Sequence, residues 1–168
     1  MKIVELRTLI RLLLSEARPS RPSRPDAPPA PIEEVLIGGS RCNIVFAKKI
    51  DGTMPARDYL DNVSAADKKV LLRYLQNFSD GHRLNPTQFK VERKMTVTVG
   101  TATREAPVVA FKSFQARLFG VLDGTLNGKS RLVLTHGFTK KRDLTPSIEF
   151  ERAVSIFEEH ETARTRRR

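Results

Sequence analysis

The chain has one cysteine, Cys42, no tryptophan, two tyrosines and three histidines. A lone thiol cannot close an internal disulfide, and neither a Cys/His metal cluster nor a disulfide-stapled secreted fold is available. A cytoplasmic protein with no metal and no cofactor is expected. Long uncharged apolar runs are missing as well. Residues 1–17 are interrupted by Glu5, Arg7, Arg11 and Glu16, so they supply neither the roughly 20 apolar residues of a membrane span nor the clean apolar stretch of a signal peptide. Acidic residues are the third shortage: 19 Asp+Glu against 30 Lys+Arg leave a net charge of +11. That balance points to polyanion partners, through phosphate attraction and counterion release.

What is present fits one main domain with appendages: 168 residues, 39% of them hydrophobic, suffice for one core. Ile3, Leu6, Ile10, Leu13 and Leu14 fall at helical spacing, which predicts an amphipathic helix over 1–17, read as packing on its own domain or a twin chain rather than on a membrane. Residues 18–31 hold six of the ten prolines, a composition that stays extended, and 18–40 together read as a linker ending in a short apolar segment. The domain proper is expected over 41–161, with a basic tail over 162–168. Within it, residues 42–47 read as a buried strand. Pro55 opens a brief helix, and Ser64 with Asp67 three residues on caps a second, stopped by Gly81. From Phe89 to Phe138 the pattern turns to β, with strands centred on 95–99, 108–114, 116–122 and 130–138, and a β-meander is the economical topology. Thr145-Pro146 supplies an N-cap and N1 pair for a last helix.

The charge is local. Between His82 and Arg142 stand twelve Lys/Arg and three acids, whereas Thr145–Glu161 carries five Glu and one Arg. Lys112 and Arg117 lie among Phe111, Phe114 and Phe119, a pattern able to hold a phosphate while a base stacks nearby, although the aromatics serve equally well as core. Alternation places Arg117 with Phe119 and Val121. It is therefore a paired guanidinium if that face is buried, and a phosphate grip if the face is an open groove, which is the preferred reading. Lys140, Lys141 and Arg142 follow a strand and lead into a capped helix N-terminus, where backbone donors and cations converge on anions. His136 shares parity with Leu132, Leu134 and Phe138, which suits a hydrogen-bonded core histidine as well as a proton shuttle. His82 and His160 have no evident role.

Residues 54–60 (MPARDYL) before a helical pair, 111–119 (FKSFQARLF), 132–141 (LVLTHGFTKK) and Thr145-Pro146 together resemble the RelE/ParE superfamily, in particular its phage-derived, HigB-like toxins. The resemblance covers roughly 42–161. It implies an α+β, RelE-like fold, with an N-terminal helical hairpin packed on a small, mainly antiparallel twisted sheet and a C-terminal helix. It implies the toxin of a type II toxin–antitoxin system, an endoribonuclease acting on messenger RNA, often in the ribosome, and neutralised by an antitoxin with a helix-turn-helix DNA-binding domain. Lys112, Arg117, Lys140, Lys141 and His136 are then the catalytic candidates, and Arg93, Lys94, Arg131 and Arg142 the RNA-binding ones. Many relatives carry a Tyr or His acid near the chain end, where this sequence offers only His160. Two alternatives stand beside this one: a ParE-like inhibitor of a protein target such as DNA gyrase, since fold does not fix function, and a non-catalytic basic RNA-binding module.

Overall fold

The computed structural model describes residues 33–141 and 145–166. The amphipathic segment 1–17, the proline-rich segment 18–31, Arg142 and the end of the basic tail lie outside them. Nine elements follow in order: β1 (Val35–Gly38), β2 (Cys42–Phe46), α1 (Pro55–Asn62), α2 (Ala65–Asp80), β3 (Phe89–Val99), β4 (Ala102–Ser113), β5 (Ala116–Leu126), β6 (Lys129–Thr139) and α3 (Ser147–Arg166).

The strands form one six-stranded sheet in the order β1-β2-β6-β5-β4-β3. β3 to β6 are an antiparallel meander, β1 pairs antiparallel with β2, and β2 runs parallel to β6. This corrects the expected fold. The sheet is mixed and six-stranded rather than small, and the helical pair is inserted between its second and third strands instead of preceding it. The reason is that β2, with β1 on its outer edge, precedes the helices in the chain and pairs with the last strand, β6. A parallel pair needs a long crossover, and α1, α2 and the meander together supply it.

Helices cover both faces. One core cluster gathers Leu60, Leu71 and Leu75 from α1 and α2 against Ile44, Phe111, Leu118, Leu132 and Leu134. The other gathers Phe150, Ala153, Ile156 and Phe157 from α3 against Val45, Val97, Val108, Phe119 and Val133. Residues 131–136 of β6 are therefore all buried, as expected for a strand covered on both sides. The local signals act as read from the sequence. The Asp67 N–H donates to Ser64 Oγ at 3.1 Å while Ser64 Oγ donates to Asp67 Oδ2 at 2.7 Å, and Gly81 ends α2 in the left-handed conformation.

Two β-bulges decide which face particular side chains reach. In β5–β6 the pairing passes from Phe119↔His136 to Gly120↔Leu134, leaving Thr135 as the extra residue. His136 therefore lies on the α3 face, opposite to Leu132 and Leu134, which corrects the simple alternation. Gly137 then faces α1, where the Tyr59 ring lies so close that any Cβ would overlap it, and Tyr59 Oη donates to the Phe138 carbonyl at 3.2 Å. In β3–β4 the pairing passes from Val91↔Val109 to Arg93↔Val108, leaving Glu92 as the extra residue.

Candidate nucleic-acid interface

Lys112 and Arg117 are register partners across β4 and β5, on the face that carries α3. Ala110 and Phe119, one row inward, are covered by the first turn of α3. The next row out, Lys112, Arg117 and Phe138, holds the cations. The bulge at Glu92 turns that side chain toward the same row. Its carboxylate takes Lys112 Nζ at 3.0 Å on Oε1 and Lys90 Nζ at 3.3 Å on Oε2, with the Lys112 and Glu92 side chains only 16% and 12% exposed. Arg117 Nη1 donates to the carbonyls of Phe114 (2.7 Å) and Ala116 (2.9 Å). Burial pulls the Arg117 guanidinium below its usual pKa, and the Glu92 charge opposes that. The result is a row in which Lys112, Arg117 and Glu92 are recessed and Lys90 stands exposed at the edge.

The other sequence candidates scatter. Arg93 is exposed, its guanidinium 5.2 Å from the centre of the Phe150 ring, and it shares the face of the row. Lys94 falls on the opposite face by alternation and is exposed. Lys140 is half-buried after β6, its N–H donating to the Gln115 carbonyl at 2.8 Å, and Lys141 is exposed beyond it. Arg142 is outside the described residues. Arg104, counted in the basic surplus, is held bidentately by Asp123 at 2.7 and 2.6 Å. His136 is wholly buried. It stacks on Phe119 at 5.0 Å between ring centres, and its Nε2 donates to Glu149 Oε2 at 2.9 Å. Burial, helped by the Arg152 charge, pushes its pKa down to about 3, so the imidazole is neutral.

Arg131 is the sharpest departure from a nucleic-acid role. It is 2% exposed, and its guanidinium is committed to Glu33 and, at 2.6 Å, to Glu161. His160 belongs to the same cluster. Its Nδ1 accepts from the Lys48 N–H at 3.0 Å and its Nε2 lies 3.1 Å from Glu33 Oε1. Burial raises the Glu33 pKa, but hydrogen bonds from His160 and Arg131 and the charges of Arg131 and Arg164 outweigh it and bring it down to about 2. Glu33, His160 and Glu161 bring ligand atoms within 4.8 Å of one another, a spacing a metal could use, yet the Arg131 guanidinium is already the cation between the two carboxylates. These groups do not fit a metal without displacing it.

Sequence reasoning missed Glu92 and His160. Nothing local marks Glu92, because its direction is set by a bulge. His160 had a signal, in that it follows Phe157 by three residues and shares the buried side of α3. Compared with family models and with curated proteins, the chain matches none. Among the described residues no helix is long and apolar enough to cross a membrane.

Proposed function

We propose that the chain is the toxin of a type II toxin–antitoxin pair and acts as an endoribonuclease on messenger RNA, with Glu92, Lys112 and Arg117 at its cleavage centre. The observation that carries the reading is the carboxylate of Glu92 held 3.0 Å from the Lys112 amine, in a recessed row that Arg117 completes. Such a row supplies the three tasks of ribose-assisted cleavage. Glu92 takes the proton of a 2′-hydroxyl and the freed oxygen bonds to the adjacent phosphorus. Arg117 holds the non-bridging oxygens as their charge grows, with the bidentate geometry a guanidinium offers phosphate. The P–O5′ bond breaks, the leaving oxygen takes a proton from the Lys112 ammonium, and Glu92 passes its proton to the Lys112 amine. The products are a 2′,3′-cyclic phosphate and a 5′-hydroxyl.

Primer extension on translated messages, together with filter binding of RNA, tests this. Glu92→Gln is expected to lower cleavage by roughly 10²- to 10⁴-fold, the usual worth of a general base, while RNA binds more tightly because a negative charge has left the row. Lys112→Met with Arg117→Met is expected to lose both binding and cleavage. A Glu92→Gln protein that cuts at the unaltered rate overturns the assignment. The same reading calls for an antitoxin with a helix-turn-helix domain encoded beside the chain.

The burial of His136 favours a second reading, a basic module that binds RNA without cutting it, since this imidazole is closed off beneath α3. Under that reading the unaltered protein leaves RNA whole, and Glu92→Gln still tightens binding.

A further inference from the structure

Three two-residue turns join the meander strands. In the β5–β6 turn the positive backbone angles fall on Asn127 (φ 52) and Gly128 (φ 76), residue types that tolerate them. In the β3–β4 turn only the first central residue has positive φ, and it is Gly100 (φ 61). The β4–β5 turn has the same pattern, but the residue is Phe114 (φ 47). A bulky side chain in the left-handed region is a steric outlier, and here the fold gains no burial in exchange, because Phe114 is 87% exposed. Strain of this kind persists where the surroundings over-determine it, and it concentrates at sites that bind.

The surroundings do hold it. The Phe114 carbonyl accepts from Arg117 Nη1 at 2.7 Å, the Gln115 carbonyl accepts from the Lys140 N–H at 2.8 Å, and the Lys112 N–H donates to the Gln88 carbonyl at 2.8 Å. The Phe114 backbone is thereby fixed beside the cationic row, next to Ser113 and with its carbonyl hydrogen-bonded to the Arg117 guanidinium, and its aromatic ring stands bare. We infer that Phe114 is a stacking platform for an unpaired nucleobase, so that the ligand of this surface is single-stranded RNA gripped by its phosphates at Arg117 and by one base on the Phe114 ring. The inference rests on the RNA reading above and adds to it the strandedness of the ligand and the residue that senses it. An aromatic face is sequence-tolerant, since every base has a π surface.

The chain has no tryptophan, so Phe114→Trp introduces a single reporter. A short single-stranded RNA is expected to quench its emission on binding, whereas heparin, a polyanion without bases, is expected to bind without quenching. Phe114→Gly, which suits the backbone angle, is expected to weaken binding of the same RNA by about tenfold and to leave heparin binding and the melting temperature undiminished. An RNA of equal length whose riboses are abasic should bind the unaltered and the Phe114→Gly proteins alike. RNA that binds without quenching, or a Phe114→Gly protein with unchanged RNA affinity, overturns the stacking role and leaves the ring to a protein contact. Failure of the unaltered protein to bind RNA at all overturns the RNA reading itself, and the stacking role with it.

Discussion

The cluster around Arg131 and the row around Arg117 sit on one sheet and use the same residue types, yet they hold charge in opposite ways. Arg131 is enclosed by two carboxylates and an imidazole network and is almost completely buried. Arg117 bonds backbone carbonyls instead of a carboxylate, and Glu92, the one acid of its row among the described residues, is shared with two lysines. Charge is neutralised at Arg131, where it serves the fold, and left in surplus at Arg117, where the proposed site would take its phosphate. Net charge read from a sequence cannot separate the two, because it counts Arg131 and Arg117 alike.

Stability measurements make the sharpest cut between the regions. Arg131→Met leaves Glu33 and Glu161 buried with only Arg164 to balance them and is expected to cost about 3–5 kcal/mol, read from urea unfolding. Arg117→Met, by contrast, is expected to cost less than about 1 kcal/mol, as partly exposed positions do. Equal losses would break the comparison. Acid separates the regions next. The unfolded chain takes up a proton on Glu33 around pH 4.5, whereas the folded protein resists until about 2. The stability this group contributes is therefore complete above pH 4.5 and is lost as the pH falls toward 2. Chemical denaturation across that window should show the decline. Glu33→Gln should flatten it, and Arg117→Met should leave it in place. Smallest is the effect of Phe114→Gly, expected to raise stability by about 0.5–1 kcal/mol as left-handed strain is relieved against the entropy of glycine. A fall in melting temperature would mean that the ring supports the fold.

How much of this was legible depended on the range of the interactions. The meander, the Ser64 cap and the Gly81 stop all rest on neighbours within a few residues, and periodicity and capping chemistry reveal them, although α3 begins at Ser147 rather than at the expected Pro146. The pairing of β2 with β6, the addition of β1 at the edge and the reach of Glu33 to Arg131 join distant parts of the chain, so no local pattern announces them. The candidate site divides along the same line. Lys112 and Arg117 could be matched across a hairpin from the sequence, while Glu92 and His136 depended on bulges that move a side chain to the other face. Thr135 is the instructive case: one extra residue turned the parity shared with Leu132 into the reverse, and placed His136 under α3 against Glu149.

The parallel contact between Cys42–Phe46 and Ser130–Leu134 also governs the order in which the molecule can assemble. The meander hairpins are contiguous and can form as they leave the ribosome, but β2 has no interior neighbour until β6 has been synthesised. Non-local pairing of this type slows folding. Closure of the sheet by β2 and β6 therefore places the two-sided core, and with it the support beneath the cationic row, after the meander hairpins.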